Sequence, residues 1–166
     1  MPEIKPITPA GVAAALQKAH RYRILNDSLA AESICLDVLS VDPENTDAIV
    51  THVLAITDQF GSGRPEDLRR AGIAVVRLTD AYKNAYYNGI TCERWAKSIL
   101  ERGMPRAHEM AFEWIDKALG WYEKAEGLRA PGNDEAILRW NTCVRMLQRD
   151  ANLKPREAEA YEPSFE

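Results

Sequence analysis

Val12–Asn45 reads VAAALQKAHRYRILNDSLAAESICLDVLSVDPEN, and its pattern decides the fold class. Val12, Ala15, Leu16, Ala19 and Tyr22 recur at spacings of three and four, which places them on one face of a helix. Asn26-Asp27-Ser28 interrupts the pattern with three side chains that cap helices well. A second helix follows with Leu29, Ala30, Ile34, Val38 and Leu39 on its apolar side, and Asp42-Pro43-Glu44-Asn45 ends it. Two amphipathic helices joined by so short a break predict an antiparallel hairpin.

The same reading extends in both directions. Residues 1–7 contain two prolines and no period, so they are an extended lead-in; Thr8-Pro9 then supplies an N-cap and a first-position proline. A third helix is expected from Thr46 to Phe60, with Ile49, Val53 and Ile56 inward, and Gly61-Ser62-Gly63 is a flexible break. Pro65, Glu66 and Asp67 open a fourth helix, expected to run to Tyr87 and to stop at Asn88-Gly89, where both residues tolerate positive φ. A fifth covers Thr91 to Arg102, a sixth runs from Pro105 to Leu128, and Asn133-Asp134-Glu135 caps a seventh that ends near Arg149. The β-branched doublets Ile49-Val50 and Val75-Val76 lie inside helical patterns, and no segment alternates with period two. The expectation is an all-α chain of about seven helices in antiparallel hairpins: one domain over residues 8–150, followed from residue 153 by an acidic tail carrying Glu157, Glu159, Glu162 and Glu166.

Composition bounds the function. With 166 residues, 46% hydrophobic and 28% charged, the chain has material for one packed core and does not read as disordered. A net charge of −4 offers no general basic field, so nucleic acid is not an expected partner. Cys35, Cys92 and Cys143 are too dispersed for a disulfide framework or a zinc knuckle, which points to a reducing compartment. The first residues carry prolines and Glu3 where a secretory signal has its apolar run, and no stretch approaches the ~18 apolar residues of a membrane span. A cytoplasmic protein without a membrane partner is expected.

The Val12–Asn45 hairpin, 34 residues long, resembles a tetratricopeptide repeat. Ala19 stands at the family's first small position, Tyr22 at its aromatic position, Ala31 at the small position of the second helix and Pro43 at the closing position. Ala15, Lys18 and Cys35 depart from the tryptophan, leucine and large aromatic usual there. Ala118, Tyr122 and Ala125 repeat the small–aromatic–small spacing, and Ile137, Trp140, Asn141 and Val144 have that of a following first helix, with no partner after it. The interval from Pro43 to Pro131 exceeds two repeats, and the excess is expected in the Gly61–Asp67 loop and in lengthened fourth and sixth helices.

The resemblance implies a right-handed superhelix of stacked hairpins with a C-terminal capping helix, and a protein or peptide partner in the groove lined by the first helix of each pair. The groove positions are then Leu16, His20 and Arg23 on the first helix, Asp47, Val50, Leu54 and Asp58 on the third, and Leu138, Thr142 and Arg145 on the last. Leu16 and His20 replace the lysine and asparagine by which some family members hold chaperone tails, so apolar contacts with a few charge pairs are expected instead. The alternatives are self-assembly through the outermost helices, and a small-ligand pocket in the second half, where Tyr82, Tyr86, Tyr87, Trp95, Phe112, Trp114, Trp121 and Tyr122 crowd together.

Catalytic, cofactor and metal sets are not expected. His108-Glu109-Met110-Ala111-Phe112 begins like a zinc-protease helix but has Phe112 where the second histidine must stand. Gly61-Ser62-Gly63 lacks the lysine and hydroxyl residue of a phosphate loop. Cys92, placed in the first turn of the fifth helix, is the one thiol whose position favours a thiolate. Arg64, Arg69, Arg70, Arg77 and Lys83 give the fourth helix a basic side: a solvated face, or a dock for the acidic tail.

Overall fold

The computed structural model describes residues 1–156. The acidic residues from Glu157 onward lie outside them. Among the described residues the chain is all-α: α1 (Val12–Ile24), α2 (Ser28–Val41), α3 (Thr46–Thr57), α4 (Pro65–Val76), α5 (Ala81–Arg102), α6 (Ala107–Leu128) and α7 (Glu135–Arg149), with short 3-10 turns at Pro9–Gly11 and Phe60–Ser62. Each helix packs on the next, while α3 also touches both α1 and α5, so the three lie in one layer. The core runs from Leu16 on α1 through Val53, Ile56 and Phe60 to Ile99, Ile115 and Tyr122, and it takes in Leu153 after the last helix.

Side-chain caps define three of the starts. Asp27 accepts from the Ala30 amide at 3.1 Å, Asn45 from Ala48 at 2.9 Å and Asp80 from Lys83 at 2.7 Å. Each satisfies one of the four amides a helix start leaves unpaired, worth about 1 kcal/mol. The α1–α2 hairpin closes tightly because Ala19, Ala31 and Cys35 present no bulk and are fully buried. Leu29, expected inward, is 67% exposed. The buried face of α2 is instead Ala31, Glu32, Cys35, Val38 and Leu39, one step around the helix.

The middle of the chain differs from expectation. The fourth helix stops at Val76, eleven residues early, and α5 runs without interruption through Asn88-Gly89. Two effects decide this. Asp80 caps a new helix, and Asn84 returns its side chain to the carbonyls of Val75 and Leu78, at 3.1 and 3.3 Å, covering the end of α4. Gly89 is needed inside α5 because the Tyr122 ring lies across it: a Cβ there would stand 2.4 Å from the ring. A glycine costs a helix about 1 kcal/mol, whereas full burial of a large side chain contributes about 1.5–3 kcal/mol, so close packing wins over the local stop signal. The extra length of the middle therefore sits in α5 and α6, 22 residues each, and α4 has only 12. Gly61-Ser62-Gly63 is part of a turn, with Phe60 buried beneath it and Gly63 at φ 71° against the Arg102 side chain.

Candidate functional site

Three clusters of charge punctuate the structure, and their burial separates them. The first lies on the α1–α3–α5 layer. Asp58 follows the last turn of α3, where the helix dipole disfavours a carboxylate. Two guanidinium groups offset this: Arg23 of α1 donates from Nε at 2.7 Å and from Nη2 at 3.3 Å, and Arg94 of α5 donates from Nη1 at 2.5 Å. Arg94 also donates to Thr57 Oγ1 at 2.8 Å. Asp58 thus joins three helices, with its side chain 26% exposed. Beside it, His20 Nε2 meets Thr51 Oγ1 at 3.0 Å and Asp47 Oδ1 at 3.4 Å. His20, Arg23, Ile24, Asn26, Ser28 and Asp58 line one cleft, and Asp58, Arg94, Lys97 and Glu101 line another; they share Asp58 and so continue into each other.

The second cluster is closed. Glu93 of α5 is fully buried. It accepts from Tyr122 Oη of α6 at 2.7 Å, from Lys97 Nζ at 2.6 Å and from Arg139 Nε of α7 at 3.0 Å. Burial alone would raise the Glu93 pKa. Hydrogen bonds from Lys97 and Tyr122, with the charges of Lys97 and Arg139, turn the shift downward, so the carboxylate stays ionised. Burial, with the neighbouring carboxylate, pushes the Tyr122 phenol far upward, which keeps it a donor.

The third cluster lies between α2 and α4. Glu32 accepts from Gln59 Nε2 at 2.6 Å and is paired with Arg70. Arg70 also reaches Asp67 at 3.0 Å, and Arg64 donates to Asp67 at 2.9 Å. His52 Nε2 stands 3.6 Å from Glu32, too far for a hydrogen bond, and its Nδ1 is buried without a partner. Burial and then the charge of Arg77 hold His52 below its usual range, neutral. Glu32, His52, Arg70 and Arg77 surround a cleft of about 280 Å³ whose apolar lining includes Leu36, Ile73 and Ala74.

Of the ten residues expected to line a groove, the structure brings six together: His20 and Arg23 on α1, with Asp47, Val50, Leu54 and Asp58 on or just after α3. Leu16 lies beneath them, 7% exposed, as part of the core. Leu138, Thr142 and Arg145 are on α7, and among the described residues no hydrogen bond or ion pair joins them to α1 or α3; Thr142 turns its hydroxyl to the Leu138 carbonyl. Arg94 and Lys97 were missed. Their spacing of three on one helix is a usable sign of a shared face, but not of the Asp58 and Glu93 carboxylates they meet.

The basic side expected for the fourth helix is divided. Arg64, Arg69 and Arg70 each hold a carboxylate of α4 itself, and Lys83 belongs to α5. Cys92 is twelve residues into α5, not in a first turn, and burial raises its thiol pKa to about 11. Burial likewise raises Cys35 and Cys143 to about 12. No three His, Cys, Asp or Glu side chains among the described residues are placed to hold a metal ion. No helix among them is long and apolar enough to cross a membrane. The chain matches no protein-family model, no curated protein and no solved structure.

Proposed function

We propose that the chain is a tetratricopeptide-like interaction module whose α1–α3–α5 layer binds a polypeptide, and that it works in the cytosol. The observation that carries the reading is the Asp58 centre. Three consecutive odd-numbered helices converge there on a carboxylate about a quarter exposed with two arginines, next to partly exposed Val50 and Leu54. Such a surface combines apolar contact with forked donors, the chemistry that reads an extended or helical peptide. The resemblance to tetratricopeptide repeats supports the same face, since the first helix of each pair lines the inner side of such arrays. Aromatic residues of the second half engage other rings or lie under cations: Trp95 packs on Phe60 at 5.1 Å, Tyr86 on Tyr122 at 6.0 Å, and Lys117 and Lys124 cover Trp114 and Trp121. That packing favours a protein-binding role over a small-ligand pocket among them. Three free thiols suit a reducing compartment.

The test is affinity capture from native lysate with the wild-type chain and with the Arg23→Glu/Leu54→Glu double variant. A polypeptide captured by the first and lost by the second is the expected result. Equal capture by both sinks the proposal for this face.

A second reading, self-assembly, rests on a different surface. Leu29 and Leu36 of α2 and Ile73 and Val76 of α4 are 51–77% exposed, and Leu36 and Ile73 line the same cleft. Exposed apolar side chains in company mark contact surfaces. Light scattering of the wild type and of Leu36→Glu/Ile73→Glu decides it: a dimer that the variant abolishes supports assembly, and a monomer at all concentrations excludes it.

A further inference from the structure

We propose that two copies of this chain pair through α6, antiparallel, about a two-fold axis near Leu119 and Gly120. The inference is independent of the α1–α3–α5 face and of the exposed apolar residues on α2 and α4.

The order of side chains is the first argument. Met110, Trp114, Lys117, Trp121, Lys124 and Leu128 follow one another at alternating spacings of four and three. That spacing keeps a seam on one side of a helix, as in coiled coils. None of the six is fully buried: the two tryptophans rest partly on the core, and the other four are exposed. Lys117 Nζ lies 4.2 Å from the centre of the Trp114 ring, and Lys124 Nζ 5.1 Å from that of Trp121. An antiparallel second copy sets Met110 against Leu128 and every tryptophan against a lysine. Only a second copy gains from such symmetry, because a two-fold contact pairs residue i with j and j with i.

Charge is the second argument. Of the charges on α6, Glu109 is held by Arg106 and His108 stands by Asp150. Glu126 falls on the opposite side of the helix from the seam at 3.6 residues per turn. Glu113, Asp116 and Glu123 remain, with Lys117 and Lys124, and all five are exposed. The antiparallel pairing brings Lys124 within a turn of Glu113 and Asp116 of the second copy, and Lys117 within a turn of its Glu123. Lysines therefore meet acids on both sides of the axis, whereas a parallel pairing in register would set each lysine against itself.

Close approach is the third argument. Gly120 and Gly127 lie on the exposed side beside the seam, and each costs the helix about 1 kcal/mol. Gly89 has the Tyr122 ring against it, but a Cβ at Gly120 or Gly127 would meet nothing within 4 Å. In the antiparallel pair Gly120 faces Gly120 of the second copy, and the missing side chains let the two backbones approach. A contact confined to one helix pair falls at the small end of specific interfaces, about 1,200 Å² in total, so the dimer forms and parts with concentration.

The experiment uses the full chain. Sedimentation velocity over a concentration series compares the wild type, Lys117→Glu/Lys124→Glu, Asp116→Lys/Glu123→Lys and an equal mixture of the two variants. Each variant alone sets like charges opposite one another and should dimerise at least about tenfold more weakly than the wild type. In the mixture positions 117 and 123, and 116 and 124, again carry opposite signs, so the dimer should return. Its return also shows that both variants are folded. Direction is read from Gly120→Cys and Gly127→Cys under mild oxidation, the native cysteines being buried. Position 120 should link to its counterpart. The two copies of position 127 stand about 21 Å apart along an antiparallel pair and should not link. A wild type that stays monomeric at every concentration, variants that dimerise as the wild type does, a mixture no stronger than its components, or linking at position 127 each overturns the proposal. A dimer lost in Leu36→Glu/Ile73→Glu but kept in the lysine variant overturns it in favour of the α2–α4 face.

Discussion

Asp58 and Glu93 are carboxylates served by the same kinds of donor, with opposite accessibility. Asp58 joins α1, α3 and α5 through two arginines and stays a quarter exposed. Glu93 joins α5, α6 and α7 through lysine, arginine and tyrosine and is closed from water. Water makes the difference. At Asp58 solvent screens the pairs and can take over from either partner, so the cluster contributes little to stability and is free to exchange donors with a ligand. At Glu93 no solvent can replace a lost donor, so the arrangement is all-or-nothing and belongs to the fold.

The largest expected effect tests that contrast directly. Glu93→Ala leaves Arg139, Lys97 and the Tyr122 hydroxyl without their acceptor and should lower stability by about 3–5 kcal/mol. Asp58→Ala should cost about 0–1 kcal/mol. Urea unfolding of both variants measures this, and equal losses would break the comparison.

A smaller effect separates the two long helices from the rest. Gly89→Ala drives a Cβ into the Tyr122 ring and should cost about 1–3 kcal/mol. Gly120→Ala, on the facing helix with nothing within 4 Å, should stabilise by about 0.5–1 kcal/mol. Thermal melts of the pair sharpen the point: a mild Gly89→Ala would mean that α5 and α6 move apart without penalty.

The smallest effect is read in pH. The Glu93 pKa is lowered on folding, so between the folded pKa and the ordinary value of 4.5 the unfolded chain binds more protons. Its contribution is therefore present above 4.5 and lost as pH falls through the folded pKa. Glu93→Gln should remove this part of the acid dependence, and Asp58→Asn should leave it in place. His52, held neutral below its ordinary 6.5, adds a separate loss as pH falls below that value, because the unfolded chain takes up the proton first. Urea midpoints across the acid range, with His52→Gln as control, resolve the two.

Local signals survived where nothing distant opposed them. Asn26-Asp27-Ser28 marked a helix start, and Asp27 caps it, because a cap is made within one turn of chain; Asn45, read only as the end of the second helix, also caps the third. Asn88-Gly89 carried an equally strong local signal and was overruled by a tyrosine 33 residues away. Asp80 lies inside the fourth helix as the sequence reads it, and only the structure makes it the cap of α5. His20, Arg23 and Asp58 were legible as members of one face from their helical phase alone, whereas their partner Arg94, 36 residues beyond Asp58, was not.

What the sequence determined by itself was the class of structure: helical period, caps and breaks are short-range, and they specify an all-α class with about seven helices and most of their boundaries among the described residues. The tertiary structure alone decided which carboxylate is closed and which is open, which glycine continues a helix, and which cations share an acid. Those outcomes depend on how much water remains at a point where three helices meet, and no residue carries that information until the others are in place.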